Sequence, residues 1–312
     1  MSSRYRNLVK STSLTFIYYL ALLCLSLPVT AVEKLDSEST ANKIETPANQ
    51  SSDYTRIVSA GGSITELLNA LGVGENIIAV DSSSMYPARM TELPQVGYFR
   101  ALGAEGVLSL QPDLLITARG AGPQEVLDQI EAAGVPVIQF SQSTYSLQTW
   151  ETLVSEIGAF FDREDKADTL IKRTQSSINE ISKRHANRKH TPRILTLMNS
   201  GNRGFTAAGK NTMPDLLINL VGAENAAAAI DGYKPFSAES LALDQIDLIL
   251  TPHHTIDAMG GSDGICQNQS IKLATSKGCQ VHVMDALLLL GFGARVDQAL
   301  EQVANRLEKL SD

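Results

Sequence analysis

From residue 56 onward, brief apolar runs alternate with stretches of helical period. "RIVSA" (56–60), "NIIAVD" (76–81), "DLLITA" (113–118) and "VPVIQF" (135–140) are short, rich in β-branched residues and bounded by Gly, Pro or Asp. They predict strands. Between them, "SITELLNALG" and "PQEVLDQIEAAG" place apolar residues at helical spacing. Ser63 with Glu66 three residues on predicts a capping box. Leu67, Leu68 and Leu71 mark one helix face, and Gly72 is the stop. Strands alternating with helices predict a parallel sheet covered on both faces.

After residue 145 the pattern changes. "SLQTWETLVSEIGAFF" and "DREDKADTLIKRTQSSINEISKRHANR" carry no strand signal. The second is charged, with Ala167, Leu170, Ile171, Ile178 and Ile181 near helical spacing. A helix over about 163–187 spans roughly 37 Å, enough to bridge two lobes. "RILTLMN" (193–199) then restarts the strand–helix alternation, "CQVHVMD" supplies a late strand, and "ARVDQALEQVANRLEKL" a closing amphipathic helix. The second half echoes the first. "TMPDLLINLVGAEN" matches "SITELLNALGVGEN", "ESLALDQIDLIL" matches "EGVLSLQPDLLI", and a Gly-Tyr pair precedes an Ala-Glu pair in each (97–98 and 104–105; 232–233 and 238–239). Agreement in order and spacing favours duplication over chance. The expected fold is α/β: two related lobes, each a mostly parallel sheet flanked by helices, joined by one long connecting helix. The boundaries are 55–162 for the N-terminal lobe, 163–190 for the connecting helix and 191–312 for the C-terminal lobe.

The first 54 residues are different. Arg4, Arg6 and Lys10 precede an apolar core from Leu14 to Leu27, and "PVTA" ends at Ala31. This predicts a secretory signal peptide, 1–31, cleaved after Ala31, since the run is shorter than the roughly 20 residues that span a bilayer. Cys24 lacks the small residue expected before a lipidated cysteine, which argues against a lipid anchor. Residues 32–54 are polar and read as a flexible tether. The chain has 26 Lys and Arg against 34 Asp and Glu; without residues 1–31 the balance is 23 against 34, or −11. Such acidity argues against nucleic acid or anionic membranes as partners. Cys266 and Cys279 remain, and in an oxidising compartment they are either a disulfide or two buried thiols.

The candidate chemistry is sparse. There is no Walker loop, H-E-x-x-H or zinc-type cysteine pairing. Gly61-Gly62 ahead of a helix reads as a tight turn or an anion cradle. His185 and His190 read as solvated, and His282 as a core residue. Ligands of open α/β folds bind outside the carboxyl ends of the strands, so the loops there, including both Gly-Tyr segments, form the expected cleft.

"VGYFRALGAEGVLSLQPDLLI", "FTAAGKNTMPDLLINLVGAEN", "GYKPFSAESLAL" and "MGGSDGI" together resemble the periplasmic haem-binding proteins of bacterial ABC haem importers, over about residues 55–310. The wider class has a single connecting helix and includes cobalamin and siderophore binding proteins. The resemblance implies haem b as transported ligand, an ABC permease and its ATPase as partners, a monomeric carrier, a periplasmic location and no enzymatic reaction. It implies Tyr98 as axial ligand of the haem iron, because phenolate is a hard oxygen donor suited to ferric iron. Arg100, His254, Arg203 and Tyr233 are implied as haem contacts, and Glu105 and Glu239 as the carboxylates that dock the permease. Ser200 stands where some relatives carry a histidine and hold a second haem. The same fold carrying cobalamin or a ferric siderophore is the alternative. An exported α/β enzyme is a further one, and it requires a nucleophile with a base beside it.

Overall fold

The computed structural model describes residues 54–140, 144–185, 188–201, 204–236, 245–275 and 278–311. All of them lie in one compact unit, Ala48–Asp312. The expected signal peptide, the tether up to residue 53, Arg203 and Glu239 lie outside the described residues. Tyr54, assigned to the tether by composition, stacks on Phe160 at 6.1 Å and so belongs to the packed unit.

The first half runs β1 (Ile57–Ala60), α1 (Gly62–Ala70), β2 (Ile77–Val80), β3 (Gly97–Tyr98), β4 (Ala101–Leu102), α2 (Ala104–Leu108), β5 (Leu114–Ala118), α3 (Gln124–Ala132), β6 (Val137–Phe140) and α4 (Leu147–Phe160). Four strands form a parallel sheet in the order β2-β1-β5-β6. β1 is buried at every position, as a strand covered on both faces must be. The pair β3–β4 is a separate antiparallel hairpin.

The helix expected over 163–187 is α5 (Glu164–His185), 22 residues. Glu164 and Asp165 open it and Lys183, Arg184 and His185 close it, each sign suited to its end of the helix dipole. Its buried residues Ala167, Leu170, Thr174 and Ile181 form a stripe, and it packs on α4 and on the last helix. His185 departs from expectation: it is 9% exposed, because the last helix, Val296–Ser311, covers that end of α5 and brings Glu308 within 3.9 Å. His190 is exposed, as expected, and pairs with Asp247 at 3.2 Å.

The second half runs β7 (Arg193–Asn199), β8 (Phe205–Ala208), α6 (Met213–Leu220), β9 (Glu224–Asn225), β10 (Tyr233–Pro235), β11 (Leu248–Pro252), α7 (His253–Met259), α8 (Ser262–Gln267), α9 (Gln269–Ala274), β12 (Val281–Met284), α10 (Ala286–Leu290) and α11 (Val296–Ser311). Its sheet order is β10-β8-β7-β11-β12, with β9 beside β7. β7, β11 and β12 are parallel, whereas β8 and β10 add an antiparallel edge. The two Gly-Tyr segments therefore differ in their pairing. Tyr98 sits in the free hairpin, Tyr233 on the edge of the main sheet. What they share is a glycine in the left-handed region, Gly97 at φ 90° and Gly232 at φ 69°, where a side chain is disfavoured. Cys266 and Cys279 are joined, with sulfurs 2.03 Å apart, tying α8 to the approach to β12.

The largest apolar cluster runs through both halves, from Ile57, Leu67 and Trp150 to Met213, Leu289 and Leu307. The segment 291–297 threads between them. Trp150 Nε1 donates to the Gly293 carbonyl at 2.8 Å, and Phe292 N donates to Ser63 Oγ at 2.9 Å. Arg295 pairs with Glu66, and Arg173 with Asp297 at 2.8 Å. The predicted Ser63–Glu66 capping box is therefore absent. Gly61 occupies the N-cap without a side-chain cap, and both predicted capping residues are engaged by partners 229 positions away.

Candidate functional site

The carboxyl ends of the two sheets meet. The turn Gly61-Gly62 after β1 lies against Leu287, just past β12: a Cβ on Gly62 would fall 2.9 Å from Leu287 Cδ1 and 2.3 Å from the Ser83 carbonyl. The loops at this junction expose apolar groups. Six large hydrophobics are exposed among the described residues, and five of them, Met85, Tyr86, Tyr98, Tyr145 and Tyr233, belong to segments following β2 or β6, to the β3 hairpin or to β10. Tyr145 meets Phe292 edge-on at 5.2 Å, and Arg295 lies 3.8 Å over the Tyr86 ring. Aromatic side chains left wet on several loops at one junction need an occupant more than random surface exposure does.

Tyr98 is 46% exposed. Its backbone pairs with Ala101, and its ring meets Phe99 edge-on at 4.8 Å. Arg100 lies back over the same Phe99 ring at 4.9 Å, in space that Gly120 leaves by lacking a side chain. The hairpin is anchored at its tip on both sides. Gly122 N donates to the Phe99 carbonyl at 3.0 Å, and Phe99 N donates to Asp81 Oδ2 at 3.2 Å. Periodicity does not single out Asp81; the only signal it leaves is a lone acid closing an apolar strand ahead of three serines.

Tyr233 is two-fifths exposed, yet its hydroxyl is hemmed in: desolvation first, and then the neighbouring Tyr145, raise its pKa well above the ordinary value of 10.0. Burial there favours the neutral phenol. His254 is exposed in the first turn of α7, directly beyond the carboxyl end of β11. Glu105 is exposed in the first turn of α2, where the helix dipole favours a carboxylate. Of the predicted site residues, Tyr98, Arg100, His254 and Tyr233 thus fall at strand ends or edges. Tyr145 with Phe292, and Tyr86 with Arg295, form ring contacts at the junction that no short-range pattern announces. Among the described residues, no three His, Cys, Asp or Glu side chains converge to hold a bare metal ion. No helix there is long and apolar enough to cross a membrane.

Comparison with known proteins gives a consistent picture. The periplasmic heme-binding protein RhuT of Roseiflexus sp. RS-1, in apo form, is 33% identical with a TM-score of 0.75, over 83% of this chain and 100% of that one. The periplasmic heme binding protein HutB of Vibrio cholerae is 33% identical with a TM-score of 0.72, over 81% and 98%. The periplasmic heme-binding protein BhuT, in complex with two hemes, is 31% identical with a TM-score of 0.74, over 82% and 98%. Among curated proteins, the vitamin B12-binding protein of Yersinia pestis (strain Pestoides F) is 30% identical over 170 residues, 54% of this chain; the match spans 59% of that relative's length. The model of one family, described as periplasmic binding protein, matches residues 57–275. With that match laid over two α/β lobes whose strand ends meet at an aromatic-rimmed junction, the chain belongs to the periplasmic binding protein family.

Proposed function

We propose that this chain binds ferric haem at the junction of its two lobes and passes it to an inner-membrane ABC importer, performing no reaction itself. Haem b is the transported ligand, and the permease and its ATPase are the partners. The observation that carries this reading is the ring of exposed aromatic and apolar side chains at the strand ends, with one phenol, Tyr98, presented on a braced hairpin. A flat, mostly apolar macrocycle gains from burying such groups, and the iron needs one well-placed oxygen donor. Tyr98 is assigned that role because the Gly-Tyr hairpin presents it, 46% exposed, while Tyr233 is assigned to the contacts around the ring. Arg100 and His254 supply polar contacts for propionates or the far face of the ring, and Arg203, outside the described residues, is assigned with them. Glu105 and Glu239 are assigned to permease docking, two carboxylates on separate lobes fixing the register. Residues 1–31 direct export, and the mature chain acts in the periplasm as a monomer. The relatives crystallised as haem binders support this cargo at 31–33% identity.

The curated vitamin B12-binding relative supports a second reading, with a corrinoid as cargo. Titrating purified protein with haemin, cyanocobalamin and a ferric siderophore in parallel separates the two. The haem reading expects a saturable Soret shift with haemin, at one equivalent, and no binding of the others. Tight corrinoid binding with no haemin response overturns it.

A further inference from the structure

Asp81 terminates β2 and is fully buried, 0% exposed. Both its oxygens are occupied by donors from three separate segments. Oδ1 accepts from Gly61 N at 2.9 Å and from Ser84 Oγ at 2.7 Å. Oδ2 accepts from Ser83 N at 3.1 Å, Ser83 Oγ at 2.7 Å and Phe99 N at 3.2 Å. Behind it runs a buried hydroxyl chain, Ser84 to Thr65 at 2.7 Å and Thr65 to Ser59 at 2.8 Å, that roots the group in β1 and α1. Every group around the carboxylate donates, so the site calls for an acceptor at both oxygens.

Five donors offset the cost of burying this acid, and a fully satisfied buried network rigidifies the segments it joins. The only donor among the five that belongs to an element outside the β1–α1 and 81–84 segments is Phe99 N, one residue beyond Tyr98. We infer that Asp81 is the positioning residue for Tyr98: it locks the tip of the β3–β4 hairpin to the end of the lobe's sheet and so sets where the phenol oxygen meets the ligand. The inference rests on the haem reading above and names the group that presents its iron ligand. The hairpin has only two residues in each strand and belongs to neither large sheet, so its own ladder cannot hold it. Backbone bonds outside it also hold it: Gly122 N donates to the Phe99 carbonyl at 3.0 Å, Leu102 N to the Gly122 carbonyl at 2.8 Å and Ser82 N to the Gly97 carbonyl at 2.8 Å. The last two bonds hold the ends of the hairpin, while the amide of Phe99 at its tip is held by the Asp81 carboxylate; losing that contact frees the tip beside Tyr98, and a displacement of about 1 Å is enough to spoil a coordination bond.

The test is Asp81→Asn in the full mature chain, alone and combined with Tyr98→Phe, with haemin as probe. In either orientation the amide sets an N–H against at least one backbone donor, Gly61 N or the pair Ser83 N and Phe99 N. We expect haemin to dissociate at least about tenfold faster from Asp81→Asn, with altered Soret and charge-transfer bands. In the Tyr98→Phe background the same substitution should change dissociation less than about twofold, because a residue acting through Tyr98 has nothing left to position. Wild-type rates and spectra in Asp81→Asn, or an equal loss in both backgrounds, overturn the role. If Asp81→Asn does not fold, amide exchange in the wild type decides: protection of Phe99 N–H supports the brace, and exchange at the free rate overturns it. A wild type that ignores haemin, or a Tyr98→Phe variant that binds it as the wild type does, overturns the haem reading and this role with it. Loss at Tyr98→Phe with none at Asp81→Asn overturns the role of Asp81 alone.

Discussion

Trp150 tests how the two halves are locked. It is the chain's single tryptophan, it is fully buried, and its Nε1 donates to the Gly293 carbonyl at 2.8 Å across the inter-lobe seam. Replacing it with phenylalanine keeps an aromatic ring but removes the donor. Gly293 is buried, so its carbonyl loses its partner at a cost of about 1–3 kcal/mol. The smaller ring leaves a void of roughly 40 Å³, worth about 1 kcal/mol. The sum is about 2–4 kcal/mol, or a fall of roughly 5–15 °C in Tm for a chain of this size. Because the substitution removes the only tryptophan, unfolding should be followed by far-ultraviolet circular dichroism, thermally and in urea, on both proteins. A loss under about 1 kcal/mol would mean that the Gly293 carbonyl is met by water, and that segment 291–297 does not clamp the lobes as described.

The neighbouring pair predicts a pH dependence. Burial, the largest influence, raises the Glu66 carboxyl above its ordinary 4.5 in spite of Arg295 beside it. A raised acid contributes stability that is full below its unfolded value and is lost as pH climbs through its folded one. Wild type should therefore lose stability relative to Glu66→Gln as pH rises from 4.5 toward neutral; parallel Tm profiles would contradict this. The Cys266–Cys279 bridge closes a loop of sequence separation 13, so its reduction, or Cys266→Ser, should lower unfolding free energy by about 3 kcal/mol in urea titrations. An unchanged midpoint would refute that contribution.

Strands, long helices and their order were legible because each is a local, repeated pattern. β7 lies on "RILTLMN" and α5 on its amphipathic stripe. What escaped was set at long range. Ser63 and Glu66 looked like a cap, but Phe292 and Arg295 claim them. His185 looked solvated until α11 folded over it. The antiparallel β8–β10 edge left no periodic trace, since its strands have four and three residues. Around the candidate site, the exposed place of Tyr98 on a turn followed from its Gly-Tyr motif, while Asp81 and the Tyr145–Phe292 contact left no such sign. Their roles come from donors and rings brought together by the fold.

The central claim is that the Tyr98 oxygen binds haem iron. It is tested most directly by titrating haemin into wild type and Tyr98→Phe while recording ultraviolet–visible and electron paramagnetic resonance spectra. The account expects a one-to-one high-spin ferric complex with a phenolate charge-transfer band in the wild type. Tyr98→Phe should lose that band and bind at least about tenfold more weakly. Identical spectra and affinities in the two proteins would contradict it.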